Sequence, residues 1–193
     1  MPHPSADDSP IVSRARGCLL GQLAGDALGG LVEFETPGQI RRRYPHGVRE
    51  LQDGGTWGTL AGQPTDDSEM ALALARTLVA DGRSGIENVA RAYARWYESG
   101  PFDMGGTCRT ALSAATRSLR EGRSASERAQ ASASRASQAN GALMRISPLA
   151  IFAARSPKED VMLWARDDAS QLRRIDGLFA VRQPAILVVV SDN

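Results

Sequence analysis

The sequence predicts an all-α fold, and three observations carry that expectation. Alanine dominates, aromatic residues make up only 5% of the chain, and β-branched residues are sparse before the C-terminal tail. Apolar residues recur at helical spacing between short Gly, Pro and Ser breaks. At 193 residues, one domain with a sizeable core is the default. A net charge of +1 argues against a nucleic-acid-binding tract or an acidic tail. No apolar run reaches the roughly 18 residues a membrane span requires. Cys18 and Cys108 have neither metal-ligand nor disulfide-framework spacing, which fits a reducing compartment such as the cytoplasm. The start, MPHPSADDSP, lacks the basic and apolar regions of a signal peptide, so residues 1–12 read as a loose N-terminus.

The first element runs from Ser13 to about Phe34. Gly17, Gly21, Gly25 and Gly29 recur every four residues, with Leu and Ala between them. Each glycine costs a helix roughly 1 kcal/mol relative to Ala. The stripe is tolerable where another helix packs closely, so it predicts a buried central helix rather than a phosphate loop. Gln22 and Asp26 share one side of this helix, with Glu33 nearby at its exit. A carboxylate in so apolar a helix requires a partner, and for Asp26 the expectation is a hydrogen bond from backbone. The stretch 34–63 is Gly- and Pro-rich and reads as a long loop, of the kind that often serves as a lid, with one helical turn near Pro37 to Tyr44. Its Arg41-Arg42-Arg43 triplet is read as a solvated face, with phosphate attraction as the alternative. His46 has no visible partner and no assigned role.

The chain is organised around Pro64-Thr65-Asp66-Asp67-Ser68-Glu69, which opens an apolar helix from Met70 to Ala80. Consecutive carboxylates converge only at a helix entrance, where free N–H groups and the helix dipole favour negative charge. Two carboxylates and a hydroxyl form a hard oxygen donor set, suited to Mg2+, Mn2+ or Ca2+ rather than zinc. The same residues also fit a capping box, with Asp66 as N-cap and Glu69 its partner. Spacing leaves both readings open.

A break at residues 81–85 precedes a helix from Ile86 to Glu98, whose Val89, Ala90, Tyr93, Trp96 and Tyr97 predict a core face. Phe102-Asp103-Met104-Gly105-Gly106-Thr107 then forms either an ordinary turn or an anion-receptive entrance to a helix from Cys108 to Leu119. Residues 121–138, rich in Ser, Ala and Arg, read as a mobile loop or a weak helix. Asn140-Gly141 signals a turn. Helices are expected from Ala142 to Ala153, with Asn140 and Arg145 at its beginning, and from Lys158 to Ser170. From Arg173 the pattern changes abruptly and ends in Ala185-Ile186-Leu187-Val188-Val189-Val190, a β-prone run without a sibling strand. Residues 173–193 therefore read as an atypical tail, foreign to the rest, as a frameshift or truncated gene produces.

Three segments in order, Gly25-Asp26-Ala27-Leu28-Gly29 with Glu33, Thr65-Asp66-Asp67-Ser68, and Asn140-Gly141-Ala142-Leu143-Met144-Arg145, resemble the ADP-ribosylglycohydrolases, a family that includes the dinitrogenase reductase-activating glycohydrolases. Residues 102–106 and Trp164-Ala165-Arg166 look similar to that family as well, and the match predicts a partial domain over residues 13–172. The resemblance implies an all-α fold with two Mg2+ or Mn2+ ions. It implies hydrolysis of the bond between ADP-ribose and a modified protein side chain, or of a related ADP-ribose conjugate. On that basis Thr65, Asp66 and Asp67 would ligate metal, Glu33 would ligate it or gate the cleft, and Glu33, Asp66 and Asp67 would serve catalysis. Asp103, Gly105 and Gly106 would touch the ribose or leaving group, and Ser137, Asn140 and Gly141 would line the path of the phosphates and ribose. The family's second metal motif, Gly-Asp-x-Asp-Thr, is absent here, so the second ion site would be incomplete. The alternatives are a non-catalytic ADP-ribose-binding or regulatory module, or an inactive remnant. Nucleic acid and membrane are not expected partners.

Overall fold

The computed structural model describes residues 9–137 and 139–172. The expectation for residues 173–193 lies outside the described residues. Among those described there are eight α-helices and one short 3-10 helix, and the β-contacts are isolated bridges such as Gly54–Thr59. The fold is all-α. The contacts divide the chain into two compact units, up to Ser68 and from Glu69, where the sequence predicts one domain.

In the first unit, α1 (Pro10–Gly29) starts earlier than expected, because Pro10 supplies a preset φ at the first turn and has no N–H to leave unpaired. Pro10 to Val12 are thus helical rather than loose. The helix also ends five residues sooner, at the Gly29-Gly30 pair, and residues 30–34 form turns. The expected buried central helix is not found. Ala27 is the one buried residue of α1. A Cβ at Gly17, Gly21, Gly25 or Gly29 would meet nothing within 4 Å among the described residues. The short helix α2 (Pro37–Arg43) opens with a reciprocal capping box between Thr36 and Gln39. The loop that follows is a series of tight turns. Gly55 has φ +75°, and a Cβ there would lie 2.6 Å from the Gly30 carbonyl oxygen, so only glycine lets the loop touch the turn after α1.

The helix α3 (Asp66–Asp81) begins in the first unit and continues into the second. There the core is built by Met70, Leu74 and Leu78 of α3, Val89, Tyr93 and Trp96 of α4 (Ile86–Glu98), and Cys108, Ala111 and Leu112 of α5 (Gly106–Arg120). The Ser/Ala/Arg-rich stretch contains a true helix, α6 (Ala125–Ser132). It packs on α4 and α5 through an alanine seam of Ala90, Ala94, Ala115, Ala125 and Ala129. Small side chains allow this close approach, so a segment of weak apolar periodicity still folds.

Glu87 fixes the seam. Its carboxylate accepts from the Ala125 and Ser126 amides and from the Ser124 and Ser126 hydroxyls. Burial pushes this carboxyl up, but the hydrogen bonds outweigh it and lower it to about 2. A depressed carboxyl contributes stability that is fully present above its ordinary value of 4.5 and lost as pH falls toward 2. Glu87→Gln is expected to lower the Tm at pH 7, with the difference from the unchanged chain shrinking below pH 4.5. Thermal melts from pH 7 to pH 3 check this.

The helix expected from Ala142 to Ala153 is shorter. A 3-10 turn spans Asn140–Ala142, and α7 (Ser147–Phe152) starts only where Pro148 can occupy a first-turn position. The helix α8 (Lys158–Ser170) matches its expectation.

Candidate active site

The entrance to α3 is held by α1. Asp26 accepts from the Thr65 amide at 3.1 and 3.2 Å, from the Ser68 amide at 3.0 Å and from the Thr65 hydroxyl at 2.6 Å. One turn earlier, Gln22 Nε2 donates to the Asp67 carbonyl at 3.1 Å. The expected backbone partner of Asp26 is thus the first turn of another helix. Asp26 acts as a cap supplied by a remote segment, satisfying N–H groups that a local N-cap ordinarily serves.

This corrects the capping-box alternative. Asp66 is the first helical residue, and Glu69 is directed elsewhere, accepting from Trp96 Nε1 at 2.7 Å. Asp26 thus takes the Ser68 amide and the Thr65 amide and hydroxyl beside the Asp66 and Asp67 carboxyl groups. Asp66 is 7% exposed, Thr65 5% and Ser68 4%, and Asp67 is half-buried. Burial, then the negative charge of Asp26, push the Asp67 carboxyl up. A hydrogen bond with Asp66 opposes this, and Glu33 adds to the rise.

Glu33 is placed by the loop. Its Oε2 accepts from Trp57 Nε1 at 2.7 Å and its carbonyl from the Thr56 hydroxyl at 2.5 Å. The adjacent Phe34 has φ +63°, a strained conformation for a bulky residue, and its exposed ring packs edge-on against Trp57. Sequence spacing gave no sign of the Glu33–Trp57 pair, because the partners lie 24 positions apart.

The residue types at the start of α3 are those a hydrated divalent cation takes. Asp66, Asp67 and Thr65 supply two carboxylates and a hydroxyl, about what Mg2+ takes from protein while keeping several waters. Ser68 Oγ is buried beside them without a hydrogen-bond partner among the described residues. No three Asp, Glu, His or Cys side chains among the described residues form a group able to hold a metal by themselves.

A raised carboxyl has a stability consequence. The contribution of Asp67 is fully present below its ordinary value of 3.8 and is lost as pH rises through the raised value, so the ionised group costs stability at neutral pH. Asp67→Asn is expected to raise the Tm of the metal-free chain at pH 7 and to leave it unchanged below pH 3.8. Melts in the presence of chelator test this.

In the second unit, the remaining candidates cluster around the start of α5. Ser137 Oγ lies 3.1 Å from the Thr107 hydroxyl, next to Gly105 and Gly106. Gly141 is buried so closely that a Cβ would sit 3.1 Å from Cys108 Sγ. Asp103 is buried and Asn140 exposed. A residue with no sequence-stated task stands behind them. Arg145 is fully buried, paired with Asp168 at 2.9 Å, and its guanidinium lies over the Tyr93 ring. Burial alone would pull this guanidinium down; the charge of Asp168 overrides it and holds it above its ordinary range.

The family model for ADP-ribosylglycohydrolase matches residues 7–173. This chain belongs to the ADP-ribosylglycohydrolase family. It is 38% identical to an ADP-ribosyl-[dinitrogen reductase] glycohydrolase of Rhodospirillum rubrum, over 82% of this chain and 49% of that protein. It is 36% identical to the ADP-ribosylarginine hydrolase Tri1 of Pseudomonas putida (strain GB-1), over 73% of this chain and 36% of that protein. A solved structure of an ADP-ribosylglycohydrolase-related protein complex superposes with a TM-score of 0.64 at 32% identity, over 83% of this chain and 49% of that one. The chain therefore spans half, or less, of the length of these ADP-ribosylglycohydrolases. No described helix is long and apolar enough to cross a membrane.

Proposed function

We propose that this chain takes part in metal-dependent removal of ADP-ribose from modified protein side chains, as an ADP-ribosylated arginine hydrolase or a close relative, in the cytoplasm. The observation that carries this reading is the remote cap. Asp26, brought from α1, caps the entrance of α3 and fixes Thr65 there beside Asp66 and Asp67.

Thr65, Asp66 and Asp67 are the residues to hold Mg2+ or Mn2+, which when bound supplies Lewis-acid activation of water. Asp67, with its carboxyl pushed up by burial and by Asp26, is suited to take a proton from the attacking water. The Asp66 carboxyl stands beside it, placed to favour the positive charge that develops at an anomeric carbon as its bond to the leaving group breaks. Glu33, oriented by Trp57, is a third carboxylate for binding or gating. In the second unit, the N–H groups at the start of α5 point the positive end of a helix at the substrate path and suit a diphosphate. Asp103, Gly105, Gly106, Ser137, Asn140 and Gly141 are the residues to bind the ADP-ribose moiety.

The test is release of free ADP-ribose from ADP-ribosylated arginine and serine peptides, with Mg2+ and with chelator. Release that requires Mg2+ supports the reading, and the peptide cleaved identifies the linkage. ADP-ribose binding without release would favour the non-catalytic binding module instead. Neither binding nor release by the folded chain would sink both readings and leave the inactive remnant.

A further inference from the structure

We propose that Arg145 is a positioning residue that sets the conformation of the loop bearing Ser137, Asn140 and Gly141, and through that loop the affinity for ADP-ribose. The inference rests on the functional reading above, in which this loop binds substrate.

The geometry is that of a tether. Arg145 Nη1 donates to the Gly141 carbonyl, and Nη2 donates to the Asp168 carbonyl of α8 at 2.9 Å. The same Nη2 pairs with the Asp168 carboxylate at 2.9 Å, while Tyr93 OH donates to the other carboxylate oxygen, also at 2.9 Å. The guanidinium carbon sits 4.6 Å from the centre of the Tyr93 ring. One planar group thus ties the turn at Gly141 to α8 and α4. Gly141 also lies against Cys108 and Leu172. The turn is closed by Leu143 and Met144 amides on the Asn140 carbonyl, at 2.6 and 2.9 Å.

An ion pair is an unfavourable way to fill this space. Arg145 is 0% and Asp168 5% exposed, and apolar side chains of similar volume generally match or exceed the stability of such a buried pair. What arginine supplies is a rigid fork that reaches two carbonyls in fixed directions, which neither a lysine ammonium nor an apolar side chain reproduces. Holding the loop in one shape is the use that the arrangement favours.

The experiment compares the full chain with Arg145→Lys, with the charge-free double variant Arg145→Met/Asp168→Asn, and with Tyr93→Phe. The readouts are the Kd for ADP-ribose by calorimetry, the Tm, and hydrogen exchange at the Leu143 and Met144 amides. Arg145→Lys is expected to weaken ADP-ribose binding by about tenfold and to speed exchange at both amides. The double variant, which leaves no unpaired buried charge, is expected to do the same should Arg145→Lys fail to fold. Tyr93→Phe keeps the ring under the guanidinium, and is expected to lower the Tm with the Kd unchanged. A folded Arg145→Lys or double variant with an unchanged Kd, or with unaltered exchange at Leu143 and Met144, overturns the inference alone. Absence of ADP-ribose binding by the unsubstituted chain overturns the functional reading, and the inference with it.

Discussion

Replacing both carboxylates, Asp66→Asn with Asp67→Asn, is expected to lower Mg2+-dependent ADP-ribose release by roughly a hundredfold or more while the chain stays folded. Changes to groups that only orient metal ligands already cost 10- to 100-fold in metal affinity or activity. These two carboxylates are the ligands themselves in the proposed site, so the loss should meet or exceed that range. Folding should survive because Asp26 still caps the start of α3. At neutral pH the neutral amide at position 67 also removes a carboxylate held against burial and the charge of Asp26. Circular dichroism and Tm, measured beside the release assay, separate lost chemistry from lost structure. Undiminished release from the double variant would place the chemistry elsewhere.

The second large effect is expected at Asp26, and it is one of stability. Its carboxylate takes the Thr65 and Ser68 amides and the buried Thr65 hydroxyl together. Loss of an N-cap costs about 0.5–2 kcal/mol, and a hydrogen bond to a charged group is worth about 1.5–3 kcal/mol. These contributions overlap, so Asp26→Ala should destabilise by about 2–3 kcal/mol. Asp26→Asn retains one acceptor oxygen and should cost about half as much. Urea midpoints at constant slope measure the loss, and faster amide exchange at Ser68 would locate it at the start of α3. Equal stability of Asp26→Ala and the unsubstituted chain would contradict the remote-cap assignment.

Much of the architecture was legible because it depends on local pattern. The spacing of Val89, Tyr93 and Trp96 defined the core face of α4, and α4 and α8 have the predicted bounds. The failures have physical causes. The glycine stripe of α1 implies close packing, but glycine is compatible with an open face as well as a crowded one, and here each glycine of the stripe is open among the described residues. The helix expected from Ala142 lost its start to Pro148, whose missing N–H is tolerated only near a helix entrance. The Thr65-Asp66-Asp67-Ser68 stretch announced an acidic helix entrance, but its local spacing fitted a capping box at least as well as a metal set. Only the arrival of Asp26 from 39 positions upstream removes the capping box. Trp57 on Glu33, Trp96 on Glu69 and Asp168 on Arg145 are likewise tertiary pairs, and no local period encodes them.

The start of α3 is the proposed divalent-cation site. The most direct test is Mn2+ binding followed by electron paramagnetic resonance, on the full chain and on Asp66→Asn/Asp67→Asn, with Mg2+ as competitor. Such a site predicts Mn2+ binding by the unsubstituted chain, displaced by Mg2+, weakening as falling pH protonates Asp67, and abolished in the double variant. Equal Mn2+ binding by both chains, or none by the unsubstituted chain at neutral pH, would contradict it.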